Sequence, residues 1–197
     1  MHIENNKEEV PFSYYADLFA KADPAEISQR LGLPFADSAF SVTLLGREYV
    51  ISHPTAAITP EAPLPVQTFL LRYLLENKPV AWGGQWKTFR EMPWGEMYVR
   101  PYTGRVLTRA AFTFGFRLAA FSAACEKLGG VKLPHGDAGY EFTLIGDYKI
   151  RILVWEGDDE FPPNAQVIYS DNFAEGFAAE DRVVAGDILI SHIKAHM

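Results

Sequence analysis

The chain has 197 residues, of which 48% are hydrophobic and 14% aromatic. This composition can bury a full core, and the length allows one domain or two small ones. The 25 acidic residues outnumber the 18 Lys and Arg residues and give a net charge of −7. An acidic chain of this kind is not expected to bind nucleic acid or an anionic membrane.

No cationic segment followed by an apolar stretch opens the chain, and no apolar run approaches the roughly 18 residues that span a bilayer. The sequence therefore predicts a cytoplasmic protein without membrane contact. The single cysteine, Cys125, cannot form an internal disulfide, and no CxxC motif is present to hold a metal. Its apolar neighbours favour an inert, buried thiol.

Residues 1–9 are polar and are predicted to form a disordered tail, and residues 10–197 a single α+β domain. In chain order, "DPAEISQRLG" predicts a short helix with Asp23 as its N-cap. "FSVTLLGREYVIS" then predicts a β-hairpin that turns at Gly46-Arg47. Apolar residues at helical spacing from Pro63 onward indicate an amphipathic helix that ends before Pro79.

The second half begins after an irregular stretch that follows residue 80. Apolar residues on two sides of 107–128 predict one continuous, largely buried helix. A second hairpin with its turn at Gly146-Asp147 and a strand near 165–171 follow. The terminal helix from residue 178 has apolar residues on several sides, so we expect cover from this chain or from a second copy in a homo-oligomer.

Because the strands come in hairpins rather than alternating with helices, we expect antiparallel β-hairpins packed against helices. An offset of 100 residues aligns "FSVTLLG" (40–46) with "YEFTLIG" (140–146), and "RLG" (30–32) is similar to "KLG" (127–129). A duplicated helix–hairpin–helix unit would give pseudo-repeat halves 10–80 and 105–197. Short hairpins also share such residues by convergence, and both interpretations stay open.

A basic and aromatic stretch stands inside this acidic chain between residues 82 and 117. Arginine binds carboxylates or phosphates through two parallel hydrogen bonds, and indole rings stack on flat rings or cations. The candidate ligand-binding residues are Trp82, Trp86, Arg90, Arg100 and Arg105. The alternative is an aromatic cluster under a long loop, with its arginines paired to the protein's own acids.

Four carboxylates follow a strongly apolar run, among them Asp158, Asp159 and Glu160. Clustered oxygen ligands can hold Mg²⁺ or Ca²⁺, but this spacing matches no metal motif and Pro162-Pro163 stop the run. A solvated loop is the favoured interpretation, and we assign no metal site. His192 and His196 are spaced i, i+4 on the terminal helix, which favours an interaction with the helix C-terminus over metal binding.

These motifs together resemble the bacterial domain-of-unknown-function family 3786, over roughly residues 65–190. The segments that carry the resemblance are "WKTFREMPWGEMY", "FGFRLAAFSAACEKLGG", "HGDAGYEFTL", "LVWEGDDEFPPNAQVIYSD" and "AAEDRVVAGDIL". The element from Trp155 to Pro162 is the most specific of them. The family has no established activity, so the resemblance supplies no catalytic residue. Some relatives are joined to iron–sulfur domains, which implies redox or cofactor metabolism, yet this chain lacks the cysteines for a cluster.

Three functions follow as hypotheses. The leading one is non-catalytic binding of a small anionic or aromatic ligand by the basic and aromatic stretch. The alternatives are a metal-assisted enzyme that uses the acidic loop, and a structural or partner-binding subunit. The sequence identifies no cofactor.

Overall fold

The computed structural model describes residues 11–197, so the predicted tail 1–9 lies outside the described residues. Within that range the chain forms a nine-stranded antiparallel sheet packed against helices, which confirms the α+β class. Side chains alternate along the strands. In the strand Ala39–Leu44, for example, Phe40, Val42 and Leu44 are buried, whereas Thr43 on the opposite face is exposed.

The helices are α1 (Phe12–Lys21), α2 (Pro24–Leu31), α3 (Leu64–Glu76), α4 (Gly95–Tyr102), α5 (Arg109–Phe114), α6 (Leu118–Lys127), α7 (Phe173–Gly176) and α8 (Ala179–Lys194). The strands are β1 (Phe35–Ala36), β2 (Ala39–Leu44), β3 (Arg47–Ser52), β4 (Ile58–Thr59), β5 (Trp86–Thr88), β6 (Val131–Leu133), β7 (Ala138–Ile145), β8 (Tyr148–Trp155) and β9 (Asn164–Ser170). A 3-10 turn (Phe89–Glu91) follows β5, and a π-helical segment (Thr103–Thr108) joins α4 to α5.

The sheet has the order β4-β3-β2-β7-β8-β9-β5, with β1 beside β2 and β6 beside β7. Strands β2 and β7 meet at their ends, where Leu44 lies opposite Ile145 and the Leu45 N–H donates to the Leu144 carbonyl oxygen at 2.8 Å. With the offset of 100 residues, Leu44 in the first hairpin is equivalent to Leu144 in the second, and Leu45 is equivalent to Ile145. The contact therefore joins equivalent positions of the two hairpins.

The order of elements also repeats along the chain. Two helices, a short strand, a hairpin, a fourth strand and a long helix occur as α1 to α3, and again from α5 to α8 with α7 inserted. The pseudo-repeat halves 10–80 and 105–197 stay a prediction. A common origin by duplication stays a prediction.

The first hairpin turns one residue earlier than the sequence predicts, at Leu45-Gly46 instead of Gly46-Arg47. Both turn residues have positive φ, 48° and 77°, as a two-residue type I′ turn requires. Leucine tolerates this backbone because its N–H is fixed by Leu144 and its side chain is buried. The second hairpin turns at Gly146-Asp147, as predicted.

The predicted continuous helix over 107–128 is wrong, because α5 ends at Phe114 and α6 begins at Leu118. The chain approaches the loop after β8 so closely that a Cβ on Gly115 would lie 2.3 Å from the Pro163 Cβ. Arg117 then leaves the helical region with φ at −144°. The stretch after residue 80, which the sequence predicts to be irregular, contains the helix α4.

Helix α8 is buried over most of its length, and its cover comes from this chain. It packs against α3, α6 and the π-helical segment. A buried ion pair joins it to α3, with Arg72 Nε 2.7 Å from Asp181 Oδ1. Homo-oligomerisation through α8 stays a prediction. No helix within residues 11–197 is both long and apolar enough to cross a membrane.

Helix α2 begins and ends as its sequence indicates. Asp23 Oδ1 accepts a hydrogen bond from the Ala25 N–H at 2.8 Å, and Gly32 follows the helix with φ at 65°. Arg30, in its last turn, donates to the carbonyl oxygens of Leu74, Leu75 and Asn77. These carbonyls end α3 and have no partner within that helix, so Arg30 acts as its cap.

Candidate functional site

A cleft of about 650 Å³ opens between the β2–β3 turn, the start of α3, and the last turns of α6 and α8. We call it the α3–α8 cleft. Its apolar lining includes Leu45, Val66, Leu128 and Ile188. Ligand sites commonly combine such a lining with a few placed polar groups.

Asp187 lines the cleft and forms ion pairs with two arginines. Arg109 donates to Asp187 Oδ1 at 2.8 Å and to Ser191 Oγ at 2.9 Å, and Arg105 donates to Asp187 Oδ2 at 3.1 Å. The two guanidinium groups neutralise this carboxylate. Asp187 therefore offers little charge to a ligand.

Two further cations line the cleft, Arg47 from β3 and Lys127 from α6. Among residues 11–197 neither makes an ion pair with a carboxylate. The Arg47 guanidinium lies 5.3 Å from the centroid of the Tyr49 ring, an interaction that leaves its hydrogen-bond donors free. A cleft with surplus positive charge thus exists on a protein whose net charge is −7.

Two helix ends of opposite sign also border the cleft. Pro63, Pro65 and Val66 at the start of α3 line it, as do Ala195 and His196 at the end of α8. A helix end carries about half a unit charge, positive at the N-terminus and negative at the C-terminus. The two ends offset each other, so the side-chain cations set the sign of the potential.

His192 contributes a buried polar atom to the cleft. Within the described part of the chain its Nε2 atom has no hydrogen-bond partner. Burial, then His196 and Arg47, lower the pKa of His192, which favours the neutral imidazole. His196 Nδ1 donates to the His192 carbonyl oxygen at 2.8 Å, the helix-end interaction that the sequence favours.

Three arginines of the predicted binding stretch, Arg90, Arg100 and Arg105, do not line the α3–α8 cleft. Arg90 pairs with Glu96 at 3.1 Å on the surface, and Arg100 is exposed. Arg105 contacts the cleft through Asp187, to which it is hydrogen-bonded. Two of the three are therefore engaged by the protein's own acids, although ligand binding at these residues stays a prediction.

The two candidate tryptophans, Trp82 and Trp86, lie at the β5 edge of the sheet. Trp82 and Trp86 meet edge to face, with ring centroids 5.6 Å apart. Lys149 lies 4.5 Å from the Trp82 ring centroid, and Arg151 lies 3.6 Å from that of Trp86. Their ring faces already contact cations of β8, and these contacts would compete with a ligand.

The acidic loop forms a local turn. Asp158 Oδ1 accepts hydrogen bonds from the backbone N–H groups of Glu160 at 2.8 Å and Phe161 at 2.7 Å. These bonds lower the pKa of Asp158. Asp159 and Glu160 are exposed. Across residues 11–197 no three His, Cys, Asp or Glu side chains are grouped so that they could hold a metal ion.

We expect calorimetry with Mg²⁺, Ca²⁺ and Mn²⁺ to show no micromolar binding, because Asp158 is committed to its own turn and its neighbours point to solvent. The double variant Asp158→Asn, Asp159→Asn serves as the control. Micromolar binding that this variant abolishes would contradict the prediction and favour the metal-assisted enzyme.

The buried thiol expected at position 125 is confirmed. Cys125 is fully buried in α6, and burial raises its pKa. A protonated, inaccessible thiol is a poor nucleophile. Cys125 therefore belongs to the core.

Comparison with known proteins leaves the assignment at family level. No curated protein and no solved structure matches the chain. The model of one family, described as a domain of unknown function (DUF3786), matches residues 23–192, which include the hairpins, the cleft cations and most of α8. The chain belongs to the DUF3786 family.

Proposed function

We propose that this protein binds a small amphipathic anion, without catalysis, in the α3–α8 cleft. The observation that carries the proposal is the presence of Arg47 and Lys127, both without an ion-pair partner in the described residues, beside an apolar lining. The volume of about 650 Å³ lies in the range typical of small-molecule sites. This proposal keeps the function expected from the sequence and moves its site.

Binding ranks ahead of metal-assisted catalysis on the geometry of the acidic loop. Asp158 uses its carboxylate to stabilise the loop backbone, which leaves a weak set of oxygen ligands for a metal. In the cleft, the carboxylate of Asp187 is bound by Arg105 and Arg109. A carboxylate held in this way is a poor general base.

The proposal is tested by titrating the protein at pH 6.5 with octanoate and phenyl phosphate, and with octylamine as a cation of similar shape. We expect both anions to bind and octylamine not to bind. Arg47→Gln and Lys127→Gln should each weaken octanoate binding by about tenfold, the loss typical of one charged hydrogen bond.

Lys132→Gln is the matched control, because Lys132 is an exposed cation that does not line the cleft. It should leave the octanoate affinity unchanged. Equal binding of octanoate and octylamine would refute an anion site. No binding of either anion would also refute it and favour a structural or partner-binding subunit.

A further inference from the structure

The Nε2 atom of His192 is the unsatisfied polar group of the α3–α8 cleft. It is buried and has no hydrogen-bond partner among residues 11–197, although the side chain lies at the cleft wall. A buried polar atom without a partner costs free energy. A ligand in the cleft can supply that partner.

We infer that His192 donates a hydrogen bond from Nε2 to the anionic group of the ligand, and that binding draws a proton onto this imidazole. The inference rests on the proposed function and specifies the ligand class as a carboxylate or phosphate monoester with an apolar chain or ring. The anionic group lies toward Arg47 and His192. The apolar part lies against Leu45 and Val66.

The charges around His192 come from several elements. The ionisable groups that share its cleft are Arg47 and Tyr49 from β3, Lys127 from α6, Arg109 from α5, and Asp187 and His196 from α8. The start of α3 contributes no ionisable group. Because Asp187 is bound by two arginines, no unpaired carboxylate from residues 11–197 lines the cleft to stabilise an imidazolium.

The direction of the pH effect follows from these surroundings. In the free protein, burial, His196 and Arg47 lower the pKa of His192, and a bound anion raises it because opposite charge favours the imidazolium. Affinity is therefore greatest below the pKa of the free protein. It falls by up to about tenfold per pH unit between the free and bound pKa values, and levels off above the bound value.

The experiment is calorimetry of octanoate binding at pH 6, 7 and 8, in buffers of low and high ionisation enthalpy. Octanoate stays ionised throughout, so a change in affinity reports on the protein. We expect affinity about tenfold weaker at pH 8 than at pH 6, with net proton uptake at pH 7. His192→Gln keeps an N–H donor and cannot titrate, so its affinity should lose this pH dependence.

His196→Gln distinguishes the two imidazoles, whose ring centroids are 5.1 Å apart. Because His196 lowers the pKa of His192, the pH dependence should persist in this variant and move to higher pH. Binding of octanoate to the wild-type protein without proton uptake would overturn the inference and leave the proposed function standing. Proton uptake that persists in His192→Gln would overturn the assignment to His192. Absence of binding at pH 6 would overturn both.

Discussion

Replacing Phe114 with alanine is expected to lower the free energy of unfolding by about 3–5 kcal/mol, as truncations of core phenylalanines do. Phe114 is 0% exposed at the end of α5, with its ring centroid 4.8 Å from that of Phe121. Phe121 in turn contacts Tyr140 of β7 edge to face. The cavity would therefore open where α5, α6 and the sheet meet. Urea denaturation followed by circular dichroism measures the loss.

Phe112→Ala provides the matched control in the same helix. Phe112 is 58% exposed, and substitutions at exposed positions usually change stability by about 0.5 kcal/mol or less. Equal losses in the two variants would show that Phe114 does not anchor the junction between α5 and α6.

Asp181→Ala is expected to lower the free energy of unfolding by about 3–5 kcal/mol, because it leaves the Arg72 guanidinium buried without its counter-ion. The pair lies 2.7 Å apart, and both side chains are almost fully buried between α3 and α8. The same denaturation experiment measures the loss. Glu96→Ala, which breaks the exposed Arg90–Glu96 pair, should cost less than about 1 kcal/mol.

The double variant Arg72→Met, Asp181→Leu separates the value of the ion pair from the penalty of an uncompensated charge. Replacing a buried pair with apolar residues is often neutral or stabilising, so the double variant should be more stable than Asp181→Ala alone. A double variant as unstable as the sum of its single variants would show that the two charges act independently.

Much of the fold could be predicted because the relevant signals are local. Asp23 and Gly32 delimit α2, and the hairpin residues near Gly46 and Gly146 indicate the antiparallel sheet. The break at Gly115 could not be predicted. It depends on the approach of Pro163, which is 48 residues away along the chain, and apolar spacing carries no information about such a contact.

The α3–α8 cleft could not be predicted from the sequence for a similar reason. Arg47 comes from the start of β3, and Lys127 and His192 come from the last turns of two helices, so no short motif joins them. The basic stretch around Arg90 is visible in the sequence because its residues are close together along the chain. Proximity along the chain says little about which charges are neutralised, as the pairing of Arg105 with Asp187 shows.

Arg30 in "RLG" and Lys127 in "KLG" lie in the last turns of α2 and α6, and their surroundings differ. Arg30 satisfies the carbonyl groups that end α3, whereas Lys127, in the corresponding turn of α6, borders the α3–α8 cleft near the end of α8. The Arg30 guanidinium occupies the end of α3 and leaves no open surface there. A lysine without an ion-pair partner in the described chain leaves the second end accessible. Substitution of Arg30 should therefore affect mainly folding, whereas the proposed function implies that substitution of Lys127 affects mainly ligand binding.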